Sequence, residues 1–115
     1  MAFEPTDFLD LAVSLLAGSP LTEAALRSAI SRAYYAAFLE AREGLIASGA
    51  LRPSRGPAIH AAVIDALRSR SVPTGNRLDS LRRWRNAADY DVSRPIVLSQ
   101  AEWALALAQS VIAAL

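Results

Sequence analysis

Apolar residues recur along this chain at spacings of three and four, and nowhere does a strict apolar and polar alternation persist. That periodicity predicts helices and no sheet. The first helix spans about 6–17, with Phe8, Leu11, Leu15 and Leu16 on its apolar stripe and Gly18 as its stop. Ser19 and Pro20 read as the cap and first-turn residue of the second. That helix runs from Pro20 to Ser48 ahead of Gly49, about 44 Å at 1.5 Å per residue. Its stripe is Leu26, Ile30, Ala33, Tyr34, Ala37, Phe38, Ala41 and Leu45, and the alanines permit a neighbouring helix to approach closely.

ALRPSRGP, residues 50–57, carries turn residues and predicts a loop. A third helix follows over 57–70, with Ile59, Ala62, Val63, Ala66 and Leu67 inward. SVPTGN, residues 71–76, reads as the next break. The fourth helix is expected from near Asn76, carrying Leu78, Leu81, Trp84 and Ala88, and to fail before Asp91 to Pro95. Ser99 and Glu102 stand at capping-box spacing ahead of the last apolar run. Five amphipathic segments with short connections predict an all-α, antiparallel four- to five-helix bundle, one domain over 1–115.

Composition narrows the chemistry. With no cysteine, disulfides, thiolate metal sites and cysteine nucleophiles are excluded. The lone His60 has no second histidine beside it, so no metal site and no cofactor are expected. No strand-turn-helix serine elbow or glycine-rich phosphate loop is present. Acids, not bases, precede the first apolar stretch, and the late run WALALAQSVIAAL is 13 residues, short of the roughly 20 that cross a bilayer. A cytoplasmic protein without a membrane partner is the expectation. All 12 basic residues are arginine. Positions 52–94 hold nine of them against four acids, a local +5, while the remainder carries −4.

The densest stretch is LRRWRNAADYDV, residues 81–92. Arg85 and Asp89 stand at i,i+4 and can hold each other, at a few tenths of a kcal/mol on an exposed face, roughly. The arginine excess points instead to phosphate, which the planar guanidinium fork matches, with Tyr90 as a donor five positions after Arg85. A purely structural alternative pairs Asp89 or Asp91 with arginine and packs Tyr90 on the tyrosine-bearing helix. Under the same alternative Arg32 and Arg42 pair with Glu40 or Glu43.

SRAYYAAFLEAREGL (31–45), PAIHAAV (57–63) and RNAADYD (85–91) together resemble the HEPN domain, a small helical domain of prokaryotic toxin–antitoxin and defence systems. The resemblance spans nearly the whole chain. It implies a four- to five-helix bundle, a homodimer, and arginine segments of two subunits meeting in a shared cleft. In active HEPN ribonucleases an arginine, a polar residue and a histidine four to six positions on support RNA cleavage without metal. Arg85 and Asn86 match the opening of that motif, but no histidine occurs from 86 to 115. Tyr90 stands in its place, and a phenol with an ordinary pKa of about 10 is a poor base at neutral pH. The resemblance therefore assigns catalysis to Arg85, Asn86, Asp89 and Tyr90, and binding of RNA or nucleotide to Arg82, Arg83, Arg32, Tyr35 and His60. It also leaves a catalytically silent subunit, partnering a small nucleotidyltransferase, as an alternative.

Overall fold

A computed structural model describes residues 2–115, and among them every regular element is a helix: α1 (Thr6–Leu16), α2 (Glu23–Ala47), α3 (Ala58–Arg70), α4 (Val72–Tyr90) and α5 (Leu98–Ala113). The expected all-α bundle is what forms. α2 packs against each of the other four helices, whereas α1 touches only α2 and α5. The long helix is thus the spine. Its alanines explain the contact: Ala29, Ala33, Ala36, Ala37 and Ala41 are buried, as are Ala101, Ala104 and Ala108 of α5. Small side chains on facing helices let the backbones approach, and Ile30, Tyr34, Phe38 and Leu45 fill the remaining space.

Several boundaries differ from the sequence expectation. α2 begins at Glu23, not Pro20, because the Thr22 hydroxyl accepts the Ala25 amide at 3.1 Å and takes the capping role expected of Ser19. The break expected over 71–76 is the first turn of α4. Ser71 alone separates α3 from α4, and its Oγ caps α4 by accepting from the Thr74 amide at 3.4 Å. Pro73 costs nothing there, since the amide it lacks would have no intrahelical partner in a first turn. Gly75 serves a different purpose from a turn. A Cβ built on it would lie 2.3 Å from Arg68 Cγ and 2.8 Å from the Arg68 backbone nitrogen, so its missing side chain lets α4 rest on α3.

α5 opens two residues earlier than Ser99 and Glu102 suggested: the Val97 amide donates to Gln100 Oε1 at 2.9 Å. Leu11, expected in the α1 stripe, is 46% exposed, and Ala12 faces the core instead. No described helix is long and apolar enough to cross a membrane.

Candidate functional site

The RNAADYD segment lies in the last turns of α4 and meets the first half of α2 through Arg27, Ser31 and Tyr35. Helical spacing puts Ser31, Tyr34 and Tyr35 on the side of α2 that meets Arg82, Arg85 and Asp89 of α4. Arg85 is only 8% exposed. Its Nη1 donates to the Tyr35 hydroxyl at 3.3 Å, and its guanidinium carbon lies 5.5 Å from the ring centres of Tyr34 and Tyr35 and 5.7 Å from that of Tyr90. The Asp89 carboxylate is 3.7 Å from Nη1, too far for a hydrogen bond, and accepts from Ser31 Oγ at 3.1 Å. The i,i+4 pair therefore exists, but loosely, with Asp89 shared between α4 and α2.

Among the described residues, two buried nitrogens in this region have no acceptor. The Nε atoms of Arg82 and Arg85 are both buried and unpartnered. A buried donor left unmade costs about 1–3 kcal/mol. Arg82 also forms no ion pair among the described residues, so its charge is uncompensated by any neighbouring carboxylate.

His60 arrives from α3. The Tyr34 hydroxyl lies 2.5 Å from its Nδ1, and the imidazole stacks on Phe38 with ring centres 4.4 Å apart. Burial raises the Tyr34 phenol well above its ordinary value, although Arg82 and Arg85 pull in the opposite direction. Tyr34 therefore keeps its proton, donates it to Nδ1, and leaves the imidazole hydrogen on Nε2. Burial is also the largest cause of a lowered His60 pKa, reinforced by the positive charges of Arg82, Arg85 and Arg42. His60 is thus a neutral imidazole with one outward N–H.

The expected residues divide into two groups. Arg82, Arg85, Tyr35, His60, Asp89 and Tyr90 form one basic and aromatic face, and Arg32 adjoins it with its guanidinium 5.8 Å from the Tyr35 ring. Asn86 lies exposed on α4 beside it. Arg83 is turned away, 3.0 Å from Asp79. The structural alternative is met at the Arg85–Asp89 pair and departs at two points: Tyr90 is 73% exposed, and Arg32 covers Phe8 and Tyr35 without meeting an acid among the described residues. Arg42 does pair, with Glu43 at 2.8 Å.

Sequence reasoning missed Tyr34 as the partner of His60 and missed Arg27 altogether. The Arg27 guanidinium donates to the carbonyls of Ala87, Ala88, Asp91 and Arg94, clasping the end of α4 and the turn beyond it. Its only sequence signal was the i,i+4 spacing to Glu23, which it also binds at 2.9 Å.

Fold and face together define an all-α bundle bearing an arginine- and tyrosine-rich surface. No family model matches the chain, and neither a curated protein nor a solved structure is similar enough to count as a match.

Proposed function

We propose that this protein is a HEPN-like domain of a toxin–antitoxin or defence module that binds the phosphates of RNA or nucleotide on the Arg82–Arg85 face. The reading places it in the cytoplasm as a homodimer, with a small nucleotidyltransferase as its partner protein. The observation that carries the binding role is the Arg82 guanidinium, which forms no ion pair among the described residues, beside the His60 imidazole and the Tyr35 hydroxyl. Such a set presents N–H and O–H donors, and an anion accepts from donors. Arg85, Asn86 and Tyr90 form its α4 edge, with Asp89 holding Arg85 in orientation.

Binding is favoured over cleavage for a specific reason. Proton abstraction from a 2′-hydroxyl needs a positioned base, the motif histidine is replaced by Tyr90, and the Nδ1 of the one histidine, His60, is engaged by Tyr34. The ribonuclease reading keeps one support: His60, absent from the linear motif, reaches the arginine cluster through space. The two separate in one assay with short single-stranded RNA in chelator. Binding without turnover, weakened at least tenfold by Arg82→Ala, is the expected result. Metal-independent cleavage abolished by His60→Ala and Arg85→Ala would establish the ribonuclease instead, and intact binding in Arg82→Ala would refute the face.

A further inference from the structure

A second aromatic cluster lies on α4 and α5, outside the face described above. Trp84 and Trp103 meet edge to face with ring centres 5.9 Å apart. Trp84 is partly buried against the core, but Trp103 is half exposed and off the buried stripe of α5, which is Ala101, Ala104, Leu105, Ala108 and Val111. Packing of the bundle does not require an indole there. The Arg94 guanidinium stacks 4.7 Å from the Trp84 ring centre and forms no ion pair among the described residues.

The indole pair borders two hollows. One, an open depression of about 270 Å³, is lined also by Arg83 and Arg94. The other, a shallower one of about 380 Å³, is lined also by Ser99 and Gln100. Gln100 spends its side-chain oxygen on the Val97 amide, which leaves its NH₂ as a donor facing out of the α5 cap. Flat aromatic surface, cations on one side and an amide with a hydroxyl on the other are the separate requirements of a base, a phosphate and a base edge. An acidic peptide would use the arginines alone and leave the indoles and the Gln100 side unexplained.

We infer that Trp84 and Trp103 form a nucleotide site, stacking one base on the exposed Trp103 indole, with the Trp84 edge and the Ser99–Gln100 side bordering it, and holding its phosphate at Arg83 and Arg94. The inference rests on the phosphate-binding reading for its ligand class and adds the base contact that reading lacks. It also assigns Arg83, which the Arg82–Arg85 face does not use. A strand engaging both sites would cross α4.

These are the chain's two tryptophans, so intrinsic fluorescence reports the site directly. AMP is expected to quench that emission saturably, whereas ribose 5-phosphate, lacking the base, leaves it unchanged. By anisotropy of a labelled oligoadenylate, Trp103→Ala is expected to weaken binding about five- to a hundredfold, the range for losing one stacked base. Arg94→Ala, an exposed loop change that spares the core, should weaken it as well, while Arg77→Ala serves as a charge control. Circular dichroism of each variant checks folding. Emission untouched by AMP, or quenched equally by ribose 5-phosphate, overturns the inference, including the outcome in which only a protein partner binds there. The two readings fail separately. Quenching by AMP with RNA binding insensitive to Arg82→Ala removes the Arg82–Arg85 face alone, and the reverse pattern removes the indole site alone.

Discussion

A histidine that receives a tyrosine proton at Nδ1 has one nitrogen left to offer, and at His60 that nitrogen carries a hydrogen. Protonating such a ring means reversing the Tyr34 hydrogen bond, with Nδ1–H donating to the hydroxyl, and adding charge beside Arg82, Arg85 and Arg42. The folded-state pKa lies below the unfolded value of about 6.5, so the unfolded chain binds the extra proton first. Stability from this group is present above about pH 6.5 and is lost as pH falls through the lowered folded pKa. Urea midpoints are expected to fall between neutral and mildly acidic pH, and His60→Gln should flatten that slope. An equal slope in the variant would assign it to carboxylates. Arg85 invites a different test, since its buried Nε is a liability in the unliganded protein. Arg85→Met keeps the stem and removes the charge. A loss of about 1–3 kcal/mol is expected, because the partly exposed Asp89 carboxylate is left with Ser31 Oγ alone and the Tyr35 hydroxyl loses its donor, while RNA binding is lost. A larger fall in urea midpoint would mark Arg85 as a structural residue.

At the level of helices, the junction between α3 and α4 has the least freedom to change. Gly75→Ala drives a methyl into the Arg68 backbone and the Ile64 carbonyl, atoms that cannot rotate aside. The expected cost is about 1–3 kcal/mol, the usual range for overpacking, read as a lower urea midpoint. Arg27 is the corresponding device at the other end of α4. Its removal in Arg27→Ala strips partners from carbonyls at Ala87, Ala88, Asp91 and Arg94, and a loss of about 1.5–3 kcal/mol is expected. Faster amide exchange over 88–94 would locate the damage, and Arg27→Lys should not restore it, because one ammonium cannot span the fork. Much of this architecture was legible in the sequence: the α2 stripe from Leu26 to Leu45 is buried throughout, because a 3.6-residue period maps directly onto one face. The region 71–76 was not. Proline and glycine signal turns by composition, yet Pro73 serves a first turn and Gly75 a close approach, and both depend on where α3 lies.

Across the molecule, the excess of arginine within 52–94 becomes a spatial asymmetry, because α3 and α4 pack side by side. Association with single-stranded RNA is expected to weaken with salt. Two or three neutralised phosphates on the Arg82–Arg85 face give a log–log slope of about −1.5 to −2, at roughly 0.7 per phosphate. A slope near zero would remove electrostatics from the interaction. The site itself was half legible: the run RRWRNAADYD advertised its cations, whereas the meeting of His60 with Tyr34 joins residues 26 positions apart and leaves no periodic trace. The placing of His60 beside Arg82 depends on Ser71, the one extended residue, at φ −155° and ψ 108°, between α3 and α4. A single residue inserted beside it would turn one helix by about 100° against the other. His60 and Arg82 would then face different ways while every helix survived, so indels at this corner can disarm the protein without unfolding it.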